Sequence, residues 1–178
     1  MEQAQALRVG DGTDPATEMG PLANARRLEA ISGLVEDARA RGASVLAGGE
    51  GVGNRGFFYA PTVLAGVPDG AEILHEEPFG PVAPILPFTD EAAMLEKANG
   101  LEFGLASYVF TNNVRRQQRL TNALEYGVVG VNGALTHHPE AALGGWKESG
   151  IDTEGGIEIL EPYQRVKHVN LRWGSNPA

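Results

Sequence analysis

Between Val82 and Val131, short apolar runs alternate with stretches of helical length, and this alternation leaves few folds open. Val82–Phe88, an apolar run with two prolines, reads as a strand with an irregular start. Thr89 or Asp90 caps a helix through about Ala98, and Gly100 stops it. Leu105–Phe110 reads as a buried strand. Asn112 or Asn113 opens a second helix through about Tyr126, closed by Gly127, and Val128–Val131 is a third strand. The order β-α-β-α-β implies parallel neighbours joined by right-handed crossovers, so the fold class is α/β. Ligands of open parallel sheets sit beyond the carboxyl ends of the strands. The segment leaving Val131, NGALTHHPEAALGG, should therefore border a ligand site.

The flanks are less regular. The first 22 residues read as an ordered loop. Asn24–Arg41 is helical in period, with Leu28, Ile31, Leu34, Val35 and Ala38 on one face, Asn24 as cap and Gly42 as stop. A strand at Ser44–Ala47 leads into the glycine-rich GGEGVGNRG, and Phe57–Leu64 is extended. A short helix at Gly156–Leu160 precedes Val166–Trp173, where Val169, Leu171 and Trp173 alternate with His168, Asn170 and Arg172. Such a strand, without a hairpin partner, needs an edge to pair with. The 24 glycines and 11 prolines fall between periodic segments and act as punctuation.

Composition removes several classes of function. The chain has 178 residues, 42% of them hydrophobic, enough to fill a core. Fourteen Lys and Arg against 23 Asp and Glu give a net charge of −9 without a basic cluster, which argues against nucleic acid and anionic membranes. No apolar run is long enough to cross a bilayer, and MEQAQALRVG is not a signal peptide, so a cytoplasmic location is expected. With no cysteine, these residues contain no disulfide, no thiolate metal site and no thiol nucleophile. His137, His138 and Glu140 could in principle ligate a metal, but no helical H-x-x-x-H spacing supports it, and a polar loop is the better reading. GGEGVG does not fit a phosphate loop in register, and no G-x-S-x-G is present.

The unusual cluster is HEEPFGPV at 75–82, two acids ahead of a rigid Pro-Phe-Gly-Pro turn that feeds a strand. A carboxylate fixed there has two acceptor oxygens and can grip both hydroxyls of a ribose. A surface acid before a structural turn fits the same residues, and composition alone favours that plainer reading.

HEEPFGPV resembles the E-E-x-F-G-P-V motif of the NAD(P)-dependent aldehyde dehydrogenase superfamily. VGDGTDPATEMGPL, GFFYAPTVL, ANGLEFGLASYVFT, LEYGVVGVN and GGWKESG follow the family's order and spacing, so the resemblance covers residues 8–171. EFGLASYVFT and LEYGVVGVN look most like the succinate-semialdehyde dehydrogenase branch. The resemblance implies that Glu77 binds the nicotinamide ribose of NAD or NADP and that Phe79 packs near the nicotinamide. It implies that Asn132–Leu143, with His137, His138 and Leu143, lines the aldehyde access tunnel. It also implies that the chain is the C-terminal portion of a catalytic domain (1–163), ending in an oligomerisation strand (164–174) and a disordered tail (175–178). No catalytic residue is then expected here, since the family's cysteine, general base, oxyanion asparagine and Rossmann domain precede this region. The expected partners are a small-molecule aldehyde and, through the terminal strand, a second copy in a homodimer. The alternative is a stand-alone non-catalytic assembly or regulatory module derived from that family.

Five positions depart from the family pattern. Leu143 stands where an aromatic precedes the paired glycines. His137 and His138 stand where the semialdehyde branch often offers a hydroxyl. Thr153 replaces an arginine and Arg165 an acid. These changes alter the substrate pocket and the local charge network.

Overall fold

The computed structural model describes residues 1–134, 136 and 138–174, and the chain divides into two units, Met1–Thr89 and Asp90–Ala178. The first unit opens with a short helix, α1 (Glu2–Ala6), within the 22 residues whose composition reads as an ordered loop. A long helix, α2 (Ala25–Ala40), follows; the side chain of Asn24 accepts from the Arg27 amide and so caps it. Strands β1 (Ser44–Ala47), β2 (Thr62–Ala65) and β3 (Val82–Ile85) form one sheet in that order, β1 antiparallel and β3 parallel to β2. A 3-10 turn at Glu72–Leu74 lies between β2 and β3.

The periodic face of α2 is the core of this unit. Ile31, Val35 and Ala38 are fully buried, and Leu34 nearly so. They pack with Tyr59, Leu64, Val67 and Ile73. Thr62 is buried beside this core; its hydroxyl donates to the Ala60 carbonyl (2.7 Å) and accepts from the Gly49 amide (2.8 Å), so burial leaves that hydroxyl paired. Burial also pushes the Tyr59 phenol above its ordinary pKa.

The second unit contains α3 (Glu91–Asn99), β4 (Phe103–Gly104), β5 (Ala106–Val109), α4 (Val114–Ala123), β6 (Val128–Val131), β7 (Leu143–Gly144), β8 (Trp146–Lys147), β9 (Thr153–Glu154) and a 3-10 segment, Glu158–Tyr163. Asp90 caps α3 and Asn113 caps α4. β5 and β6 pair in parallel on either side of α4, as the alternation predicted. Val109, Leu120 and Leu124 form a smaller core, flanked by Met94 and Leu95 of α3. Glu91 binds Nε of both Arg116 and Arg119 at 2.6 Å, tying the start of α3 to α4. Hydrogen bonds from Arg119 and Arg116 hold its carboxyl below the usual carboxylate range.

One expectation needs correction. The strands of the β-α-β-α-β run do not share one sheet: β3 pairs with β2, whereas β5 pairs with β6. Periodicity identifies a strand but not its partner. Residues 164–174 carry no strand assignment, and Val169, Leu171 and Trp173 are 62%, 71% and 94% exposed. Alternation alone cannot make a strand without a neighbouring backbone to accept its hydrogen bonds. The tail at 175–178 lies outside the described residues.

Candidate functional site

In the first unit, residues 75–81 form a turn held from below by α2. Asp37 of α2 accepts the Glu72 amide at 2.9 Å and binds Arg41 Nε at 2.6 Å, which fixes the 3-10 turn ahead of the site. Those contacts, the backbone amide first, hold its carboxyl below the usual range. Nε2 of His75 lies 2.8 Å from the Asp69 carbonyl. Beyond the turn, the Pro81 carbonyl accepts from Thr62 (2.7 Å) and the Gly80 carbonyl from Val82 (2.8 Å). Gly80 presses directly onto α2: a Cβ there would stand 2.6 Å from Ile31 Cδ1. A larger residue there would have to push the Ile31 side chain aside.

The two singled-out residues stand on this anchored turn. Phe79 has φ +36°, a left-handed backbone that an aromatic rarely adopts, and its side chain is 64% exposed. The guanidinium carbon of Arg27 lies 5.3 Å from the ring centroid. Glu77 is exposed, and no described residue donates to its carboxylate or pairs with it. Its acceptor oxygens are therefore available to a ligand with two hydroxyls. A turn anchored on α2 and β2 thus presents a free carboxylate and an exposed ring two residues apart.

In the second unit, the segment after β6 begins at Asn132, with φ +54°. Its side chain accepts from the Thr111 amide (2.8 Å) and donates to the Thr111 carbonyl (3.0 Å), closing the carboxyl ends of β5 and β6. An open cleft of about 270 Å³ follows, lined by His138, Pro139, Ala141, Leu143, Glu154 and Gly155. The structure thus brings His138 and Leu143 together, while His137 lies outside the described residues. Sequence reasoning missed Glu154, which pairing of β7 with β9 sets opposite Leu143. Its only sequence signal was its place beside Thr153. Among the described residues, no three His, Asp or Glu side chains converge as a metal site.

The profile of the aldehyde dehydrogenase family matches residues 1–169. The chain belongs to that family. A succinate-semialdehyde dehydrogenase of Paenarthrobacter nicotinovorans is 42% identical over 166 residues, covering 93% of this chain and 37% of the relative. A glutarate-semialdehyde dehydrogenase of Pseudomonas putida is 40% identical over 163 residues, covering 92% and 34%. The NAD+ complex of an aldehyde dehydrogenase from Bacillus cereus superposes with a TM-score of 0.89 at 37% identity, over 93% of this chain and 34% of that one. The chain spans about a third of the length of the relatives it matches. Its mixed parallel and antiparallel α/β architecture is that of the family's solved structures.

Proposed function

We propose that this chain is the C-terminal portion of a longer NAD(P)+-dependent enzyme that oxidises an aldehyde, in particular a semialdehyde, to a carboxylate. One observation carries the reading: the unpartnered Glu77 carboxylate and the exposed Phe79 ring share one anchored, left-handed turn. NAD(P)+, when bound, accepts a hydride from the substrate carbon. Glu77 would accept hydrogen bonds from both ribose hydroxyls, and Phe79 would offer its face to the nicotinamide ring. His138 and Leu143, with His137 on the same segment, would line the substrate cleft. A ring N–H of His138 would donate to a distal carboxylate, and Glu154 in the same cleft disfavours one, so the pair would orient an anionic tail. The semialdehyde dehydrogenase names of two relatives support this substrate class. A cytoplasmic location belongs to the same reading.

The nucleophile must come from elsewhere, because the 178 residues hold no cysteine. The purified 178-residue chain is accordingly expected to give no NADH or NADPH with any aldehyde. Steady cofactor reduction by this chain, freed of host enzyme, would overturn the assignment. The absence of cysteine equally suits a non-catalytic assembly or regulatory module. An upstream reading frame continuing to a cysteine-bearing motif would exclude the module; a stop codon with a separate ribosome-binding site before Met1 would favour it.

The tail supports a homodimer within the same reading. Val169, Leu171 and Trp173 project from an unpaired segment, and a second copy could pair with it about a two-fold axis. Burying these side chains would contribute roughly 5–8 kcal/mol before association entropy. Sedimentation is expected to show dimers at micromolar concentration for the intact chain and monomers for a version ending at Tyr163. Two monomers would remove the tail from any assembly role.

A further inference from the structure

We propose that Arg27 is a positioning residue: its guanidinium, seated over the ring of Phe79, fixes the orientation in which that ring faces the cofactor. This inference rests on the role proposed for Phe79 above. The backbone of Phe79 is held by its neighbours, through the Gly80 contact with Ile31 and the Pro81 bond to Thr62. Nothing comparable holds the side chain, which is 64% exposed and lacks the apolar surround that would fix a ring by packing. Arg27 supplies a contact on one face, 5.3 Å from the centroid, within cation–π range.

Three features suit Arg27 to this task. It is half-buried, so its stem is restrained more than that of an exposed arginine. It has no carboxylate partner among the described residues, so its planar head is not drawn elsewhere. It also lies four residues before Ile31, and residues at that spacing share one face of a helix. One face of α2 therefore meets the turn twice, with Ile31 against the Gly80 backbone and Arg27 against the Phe79 ring. A lysine would keep the charge but lose the flat surface that stacks on a ring.

The test uses the longer enzyme carrying this segment, with 4-fluorophenylalanine at position 79. Arg27→Met should shift or broaden the fluorine resonance without lowering the melting temperature appreciably. It should also slow single-turnover hydride transfer about two- to fivefold, the factor that an exposed cation–π contact supplies. Arg27→Lys should restore part of both effects. Arg27→Gln carries the same test should the methionine variant fail to fold. An unmoved resonance would overturn the proposal. So would a moved resonance with unchanged hydride transfer, provided Glu77→Gln still slows the reaction. If Glu77→Gln and Phe79→Leu are also without effect, the cofactor reading of the turn has failed, and the role of Arg27 falls with it.

Discussion

Glu77→Gln in the longer enzyme is expected to slow single-turnover hydride transfer about ten- to a hundredfold, with a smaller loss in overall cofactor affinity. The carboxylate has no internal partner, so its full acceptor capacity is free for ribose hydroxyls. Replacing one oxygen by an amide removes a charged acceptor and presents a donor in its place. A hydrogen bond to a charged group is worth about 1.5–3 kcal/mol, which corresponds to that range of rates. Affinity changes less, because most of the cofactor surface would be held outside these residues. Folding should hardly respond, since Glu77 holds nothing else in place. Rapid-mixing absorbance of the reduced nicotinamide separates the two quantities. Unchanged single-turnover rates would leave Glu77 as a surface acid ahead of a structural turn.

Gly127→Ala is expected to destabilise the second unit by about 2–3 kcal/mol or more. A Cβ at position 127 would fall on the carbonyl oxygen of Gly144, and backbone cannot yield as a side-chain tip can. Gly127 is also tied at its amide to the Gly104 carbonyl at 3.1 Å, so it cannot retreat freely. The easier response is displacement of β7, which carries Leu143 and pairs with Glu154 of β9. Both residues line the cleft, so substrate binding should weaken along with stability. Gly133→Ala is the control, because a Cβ there meets nothing within 4 Å and φ is ordinary. That variant should stay within about 0.5 kcal/mol of the parent. Denaturant midpoints compare the three proteins. Equal midpoints for the two alanine variants would mean that the Gly127 crossing is not a tight one.

The helices were the most legible elements, because their signals are local. Asn24, Asp90 and Asn113 cap the helices they precede, and the apolar face of α2 is the buried face. The two-residue strands β4, β7, β8 and β9 were not legible. Their pairings, Phe103 with Lys147 and Leu143 with Glu154, depend on contacts distant in sequence and carry no periodicity of their own. Lys147 illustrates why. It has φ +54°, and its ammonium donates to the Asn99 and Leu101 carbonyls at 2.6 and 3.0 Å while pairing with Glu125. A lone lysine in GGWKESG gives no hint of that role. Within the site, the turn at 77–79 was legible because proline and glycine mark it. Arg27 was not, because a surface arginine on a helix has no signature until the ring beneath it is known.

The Asn24 cap gives the first turn of α2 a part in the site's dynamics. The Asn24 side chain holds the amide of Arg27 itself at 3.0 Å. Helix ends open and close continually, at a cost set by their few local bonds. Fraying of this end would take Arg27 from Phe79, whereas Ile31, one turn deeper and fully buried, would keep its place under Gly80. The Phe79 ring thus depends on the capped first turn of α2 for its cation contact, whereas the turn beneath it depends on the buried middle of the helix.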